Sequence, residues 1–567
     1  MAALTMFING QEIETEEGRT VLEAATEAGI TIPTLCYHPA VTASGGCRMC
    51  LVEVEPRGQL HPACTFPVSP GLRVQTHSDK VVKARRYVLE LLFSERSHYC
   101  MYCAADGDCE LQTLAYYHGM DHWLYPRSDI PRVVDASRQY FIMDHNRCIL
   151  CRRCIRACSE VAAVHTLGMG QRGAESLVVA DLDVPFGEST CISCGSCLDV
   201  CPVGALVDRR SAFMGGDADL ERHGTVCAQC SLGCSIIART RSDRLIRIDS
   251  DWDNGPSAGL LCRVGRFEPL HVTAPRIRTP LVREGGELVP CSWDEALSLV
   301  AHRLSAADSL AALISARATN EELVAFNTVF SHLQADTGLF DGRPTVAAPG
   351  PQATMRDFDT AALVVAVGAE LDDEHEVAAC WMRRARDNGA RLLLVECRAD
   401  RLKGQDHGAE VEEAEAAVAQ LSGDDRLVVV YGPRADARLL ERLNERGSVA
   451  FLSLPEGVNA AGAAALGLEE AVAGGAPDAA YIYATDSLTA TPPVRGDFQI
   501  VHSCYRTELT DGADVVLPAL HWTEKEGHFT GPSGDLRTVN RVVAVPQWAR
   551  DDRDVLSALV GLTEVSR

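Results

Sequence analysis

NRCILCRRCIRACSE, residues 146–160, and TCISCGSCLDVCPVG, residues 190–204, are two copies of one pattern, C-x2-C-x2-C-x3-C. Their cysteines are Cys148, Cys151, Cys154 and Cys158, then Cys191, Cys194, Cys197 and Cys201. A loop this short sets three thiolates on three iron corners of a 4Fe-4S cluster, and the fourth cysteine starts a helix that leads to the other cluster. The spacing therefore pairs Cys148, Cys151 and Cys154 with Cys201, and Cys191, Cys194 and Cys197 with Cys158, giving two centres in crossed register. Pro202 follows Cys201, whereas Ser159 stands after Cys158. Zinc takes four ligands per site and gains nothing from a third cysteine in one such loop.

Outward from this repeat, 19 of the 23 cysteines fall within the first 262 residues, in five short clusters. The first is Cys36, Cys47, Cys50 and Cys64, a C-x10-C-x2-C-x13-C series suited to a 2Fe-2S centre. Before it, Thr5–Ile8, Asn9-Gly10 and Gln11–Thr15 read as a hairpin with a tight turn. A helix follows, with Thr20 and Glu23 as capping box and Gly29 as its stop. Gly45 and Gly46 suit a loop whose amides approach a cluster closely. The second cluster, HYCMYCAADGDCELQ, offers His98, Cys100, Cys103 and Cys109 after a helical stretch, Lys83–Phe93. The fifth is Cys227, Cys230, Cys234 and Cys262, C-x2-C-x3-C-x27-C. Thiolates for several Fe-S centres in one chain describe a conduit for single electrons rather than a site for a substrate.

A length of 567 residues calls for several domains. The apolar share of 46% with 23% charged residues is that of ordinary globular protein. No basic leader, twin-arginine start or apolar run near bilayer length is present in the sequence, so a cytoplasmic location is expected, at the cytoplasmic face of a membrane only through partners. Secreted disulfide scaffolds are small and lack CxxCxxC loops. The net charge of -25 opposes nucleic acid as a partner.

The hairpin, helix and cysteine loop, with CYHPAVTASGGCRMCLVE at residues 36–53, resemble the ferredoxin-like domain that opens the G subunit of NADH:quinone oxidoreductase (the complex I 75 kDa subunit family) and the alpha subunits of NAD-dependent formate dehydrogenases. The second cluster resembles the 4Fe-4S motif of those families with one histidine and three cysteine ligands. Their histidine stands four residues before the first cysteine, a place held here by Arg96, which cannot ligate iron. His98 is the fourth ligand this implies, with His118 and His122 as rivals. Such a ligand lowers the cluster's negative charge and tends to raise its potential. The fifth cluster resembles the 4Fe-4S domain that begins molybdopterin oxidoreductases.

Three absences weigh against a pterin enzyme. Those enzymes usually carry Lys or Arg two residues after the last cluster cysteine, where this chain has Val264 beside Arg263. The resemblance runs on through Ser292-Trp293 and Ser315–Glu322, but residues 339–351, LFDGRPTVAAPGP, hold neither the metal-ligating cysteine nor its histidine. About 300 residues after Cys262 are also few for the pterin-enclosing domains. Farther on, Ala362–Val367, Glu376–Asp387 and Arg391–Glu396 read as a parallel strand, helix, strand unit with no GxGxxG, so a nicotinamide site is unsupported. Strands are expected at Arg426–Val430 and Ala480–Tyr483, and a solvated helix and loop over Gly408–Asp425. Residues 513–537 resemble the end of the pterin-like domain in the 75 kDa family, and Cys291, Cys380, Cys397 and Cys504 read as packing.

The expected fold is α/β and multidomain: a β-grasp 2Fe-2S ferredoxin domain over 1–80, a 4Fe-4S domain with one histidine and three cysteine ligands over 81–125, a 2x4Fe-4S ferredoxin domain over 138–210, a 4Fe-4S domain of Mo/W-bis-MGD type over 221–276, and a truncated molybdopterin-oxidoreductase-like domain over 277–567 without pterin. The resemblance implies one 2Fe-2S and four 4Fe-4S clusters, no catalytic residue in this chain, an FMN- and NADH-binding partner as electron source, and a further Fe-S subunit leading toward quinone. Two other readings change the terminus. One is the electron-transfer subunit of a soluble NAD-linked formate dehydrogenase or hydrogenase, bifurcating forms included, and the other is a molybdenum or tungsten catalytic subunit.

Overall fold

Asn9 and Gly10 set the first element: both take positive φ, 55° and 83°, and Ile8 faces Gln11 across the two-residue turn, the geometry whose twist matches the strands Ala3–Ile8 and Gln11–Glu16. The computed structural model describes residues 3–128, 130–397, 415–416, 418–420, 425–471, 475–489 and 494–566. It divides into two compact units, Met1–Glu221 and Arg222–Arg567.

In the first unit the hairpin joins a five-stranded mixed sheet, with Ala3–Ile8 parallel to Arg73–Gln75. The helix Val21–Glu27 starts at a reciprocal capping box of Thr20 and Glu23. It ends at Gly29, φ 72°, where Ile30 N donates to Ala25 O at 2.8 Å. Met6, Ile8, Val21, Leu22, Val52 and Val74 form the core between helix and sheet, with Cys50 and Cys64 at its edge. The next helix runs Asp79–Glu95, longer than its apolar period predicts because Ser78 caps it by accepting from Val81 N. After the helix Glu110–Tyr117 comes a small antiparallel sheet, Leu206–Asp208, Phe141–Asp144 and Val134–Asp135. It frames two short helices, Arg153–Arg156 and Ser196–Asp199.

The second unit opens with an antiparallel sheet of Glu221–Val226, Ser235–Arg241 and Arg244–Ser250. A seven-stranded sheet follows, in which Asp336–Leu339, Leu310–Ile314, Ala479–Thr485, Phe498–Ser503 and Val515–Pro518 run parallel. A separate four-stranded parallel sheet holds Arg391–Val395, Leu363–Val367, Leu427–Tyr431 and Val449–Ser453. Its strands LVVAV and LVVVY are buried at every residue, which is why they read as unbroken apolar runs. The helix Glu376–Asp387 connects two of its parallel strands. Of the stretch expected as a solvated helix and loop, 408–414, 417 and 421–424 lie outside the described residues. Among the described residues no helix is long and apolar enough to cross a membrane.

Candidate metal centres

Three loops of the first unit, those opening on Cys47, Cys148 and Cys191, each carry a left-handed residue, one place after the cysteine in the first and two places after in the others. Arg48, Leu150 and Ser193 all take φ near 60°, and the amides of Met49, Leu150 and Ser193 donate to Cys47, Cys148 and Cys191 sulfurs at 3.5, 3.4 and 3.3 Å. A left-handed conformation in a residue with a Cβ costs on the order of 1 kcal/mol. Here it turns an amide toward a thiol, a donor that favours the thiolate. Among the described residues no three His, Cys, Asp or Glu side chains converge as the ligands of one bare ion do. The thiols ring cavities instead, as ligands must when iron and sulfide lie between them.

Cys148, Cys151, Cys154 and Cys201 share one such cavity, walled by Met143, Ile149, Val178, Val203 and Leu206. Cys158 feels the charges of Cys191 and Cys194, and Cys197 those of Cys194, Cys191 and Cys158. Each loop of three is thus gathered with the fourth cysteine of the other copy. The helices begin around the third cysteines, Cys154 and Cys197, and the fourth lie at or beyond their ends, Cys158 in a wide turn over Ala157–Val161. A helix started by the fourth cysteine, as the spacing predicts, is not formed. Burial first, then the neighbouring thiols, pushes Cys148 up to about 11 and Cys151 and Cys158 up to about 12. Filling such a site therefore means displacing protons held by neutral, dry thiols.

His98, Cys100, Cys103 and Cys109 line a second cavity together with Arg147, Val203 and Gly204. His98 Nε2 is buried with no hydrogen-bond partner, while the ring donates to the backbone carbonyl of Leu92. Burial holds this imidazole down to about 4, so its lone pair is free near neutrality. Arg96, at the usual histidine place, is buried and donates to His145 O at 3.1 Å and Ser176 O at 2.7 Å. His118 and His122 are absent from the cavity lining, and His122 is exposed beside Asp121 at 2.6 Å.

In the first set, Cys47 donates to Cys36 and Cys50 to Cys64, which holds Cys36 down to about 4 and pushes Cys47 and Cys50 up. Arg156 joins this set to the third. Its Nη2 donates to Cys36 O at 2.6 Å and to Cys151 O at 3.3 Å, and its Nη1 to Thr42 O. The second set meets the third through Val203, which lines both cavities, and through Glu110 N, which donates to Pro202 O at 2.9 Å. The third set thus adjoins the other three of its unit. Chain order does not show this, because Arg156 and Val203 belong to the repeat and lie far in sequence from the first and second sets that they meet.

In the second unit Cys227, Cys230, Cys234 and Cys262 are all buried, and each raised thiol except Cys234 feels others of the set. Gly265 N donates to Cys262 at 3.3 Å. Ser231 Oγ lies 2.8 Å from His375 Nε2. At the carboxyl ends of the parallel strands, Ser315 Oγ donates to Asp341 at 2.7 Å and Arg317 pairs with Asp486 at 3.0 Å. Residues 339–351 offer no thiol or imidazole, and Asp341 is already engaged by Ser315 and the Ala316 amide, so the residues present do not fit a metal-pterin group. Cys380 and Cys504 are buried, and Cys291 and Cys397 lie at intermediate depth.

Five family models match in order along the chain: a 2Fe-2S iron-sulfur cluster binding domain at residues 1–79, the NADH-ubiquinone oxidoreductase-G iron-sulfur binding region at 85–123, the ferredoxin-like domain of NADH-quinone oxidoreductase subunit 3 at 140–207, the molybdopterin oxidoreductase Fe4S4 domain at 220–273, and molybdopterin oxidoreductase at 276–424 and 442–562. The second G subunit of NADH-quinone oxidoreductase from Rhizobium meliloti is 32% identical over 79% of this chain and 57% of its own length. The mitochondrial 78 kDa subunit of NADH-ubiquinone oxidoreductase from Candida albicans is 27% identical over 99% of this chain and 82% of its own. The NADPH-Fe(3+) oxidoreductase subunit alpha of Geobacter sulfurreducens is 31% identical over 70% and 49%. The chain thus spans about half the length of several curated relatives it matches. A chain of an NAD+-reducing [NiFe]-hydrogenase structure is 38% identical over 38% of this chain and 91% of its own, with a TM-score of 0.36.

Proposed function

Because the chain is a homologue of the G subunit of NADH-quinone oxidoreductase and of the mitochondrial 78 kDa subunit, we propose that it is a multi-cluster electron-transfer subunit carrying electrons from an FMN-bearing, NADH-oxidising partner toward quinone. One observation carries this reading: Cys201 stands in the cavity of Cys148, Cys151 and Cys154, the crossed arrangement two adjacent cubanes require.

In this reading Cys36, Cys47, Cys50 and Cys64 hold a 2Fe-2S centre, and His98, Cys100, Cys103 and Cys109 a 4Fe-4S centre. The repeat holds two crossed cubanes and the set from Cys227 to Cys262 a fifth centre. When bound, such clusters accept and release single electrons. The chain's own part is to keep the thiols dry, to aim amides at their sulfurs, and to fix the spacing of the sets through Arg156 and Val203. Hydride chemistry falls to the partner, since a flavin must split the electron pair of a nicotinamide. The protein works at the cytoplasmic face of the membrane that holds its partners. A soluble NAD-linked formate dehydrogenase or hydrogenase is the second setting, and the same sets would serve it.

Elemental analysis of the anaerobically purified protein tests this. One two-iron and four four-iron centres require about 18 irons per chain. Iron near that value without molybdenum or tungsten is expected. Stoichiometric molybdenum or tungsten would overturn the conduit and make the chain a catalytic subunit.

A further inference from the structure

The resemblance to pterin enzymes places a cation two residues after the last cluster cysteine, and Val264 leaves that place without charge. Arg263 beside it is turned away, paired with Glu268 and, at 3.7 Å, with Asp373. Two other guanidinium groups reach the fifth thiol set from distant parts of the chain. Arg537, on the strand Leu536–Val539, donates through Nη1 to Ser231 O at 3.0 Å and to Leu232 O, inside the loop between Cys230 and Cys234. A Cβ on Gly233 would stand 2.5 Å from that Nη1, so glycine there is what admits the arginine. Arg317, after the strand Leu310–Ile314, donates through Nη2 to Gln229 Oε1 at 3.3 Å. The backbone N–H of the same Gln229 donates to Cys227.

Both arginines are oriented by carboxylates on their far side, Arg317 by Asp486 at 3.0 Å and Arg537 by Asp535 at 2.6 Å. The Arg537 guanidinium thus stands on the carbonyls of the loop between Cys230 and Cys234, and that of Arg317 reaches the side chain two residues after Cys227.

We propose that Arg317 and Arg537 are positioning residues that set the reduction potential of the fifth centre, holding it above the value its thiols alone would give. The proposal rests on Cys227, Cys230, Cys234 and Cys262 ligating a cluster. Reduction adds negative charge, which a nearby cation stabilises, and the stabilisation is large where water is excluded.

EPR-monitored redox titration of the full holoprotein tests it, with Cys230→Ala used to assign the fifth signal. Arg317→Gln and Arg537→Gln should each shift the reduced-to-oxidised ratio about tenfold toward the oxidised form, which is ~59 mV for a one-electron couple. The Lys variants should restore most of that shift. An intact centre whose midpoint does not move in Arg317→Gln overturns the proposal. Loss of the centre in both Arg537→Gln and Arg537→Lys would make Arg537 a strut and overturn its share. If Cys230→Ala changes neither iron content nor any signal, the fifth-centre assignment itself is what has failed.

Discussion

Gly204 lies against Cys103: a Cβ built on the glycine would stand 2.4 Å from the cysteine sulfur. The contact joins the loop after Cys201 to the second thiol set, and no rotation of a methyl group relieves it. Gly204→Ala should displace Cys103 and cost the protein about four irons. Gly168→Ala, where nothing lies within 4 Å, should leave iron unchanged. Full iron in Gly204→Ala would show that the two loops can part.

His98 stands in the cavity of Cys100, Cys103 and Cys109, with an unpartnered Nε2. His98→Cys should keep a four-iron centre whose potential falls, because thiolate adds negative charge. His118→Ala should change neither signal nor potential. An EPR titration that responds to His118 and ignores His98 would reverse the assignment.

His375 is fully buried, and burial holds it down to about 4. Its Nδ1 lies 3.0 Å from Glu370 O and so carries the proton, leaving Nε2 to accept from Ser231. The unfolded chain takes up a proton near pH 6.5, whereas the folded one waits until about 4, so stability falls as pH drops through that window. Glu374 next to it is pushed up to about 7 by burial and slopes the other way between 7 and the ordinary carboxylate range. Comparison with His375→Gln removes that overlap. Between pH 6.5 and 5 the wild type should lose about 1 kcal/mol per pH unit more than the variant in denaturant titrations. Parallel curves would refute the buried neutral histidine.

Lys525 is buried between Glu322 at 2.8 Å and Asp552 at 3.0 Å, with Tyr483 OH at 3.0 Å. Lys525→Met should destabilise the second unit by about 3–5 kcal/mol, since it leaves two buried carboxylates without their cation. Iron content should not change. A thermal unfolding transition that stays in place would mean one of those carboxylates is already protonated.

Much of this was legible in the sequence wherever a local rule decides the geometry. Asn9-Gly10 specifies a two-residue turn, Thr20 with Glu23 a helix start, and LVVVY a doubly covered strand. The C-x2-C-x2-C loops specify themselves, because three thiols a few residues apart need only two left-handed residues, Leu150 and Arg152 in one copy and Ser193 and Gly195 in the other, to face one way. The joints between loops were not legible. Arg156 grips Cys36, Arg537 reaches Leu232 and Gly204 touches Cys103 across long stretches of chain, and nothing in their local sequence marks them. The histidine was half legible: displacement of the motif by Arg96 left three candidates, and since His118 Nε2 is buried and unpartnered too, only the place of His98 in the wall of the shared cavity distinguishes one.

The sharing of Cys201 with the loop of Cys148, Cys151 and Cys154 also bears on how the protein matures. A nascent chain has its whole first ligand set once residue 64 has left the ribosome. Under the crossed assignment the set of Cys158 is complete only when residue 197 follows and that of Cys148 only at residue 201, so the first copy of the repeat cannot be loaded by itself as the chain emerges. Both insertions become late events, and a chain stalled between the two copies would carry neither.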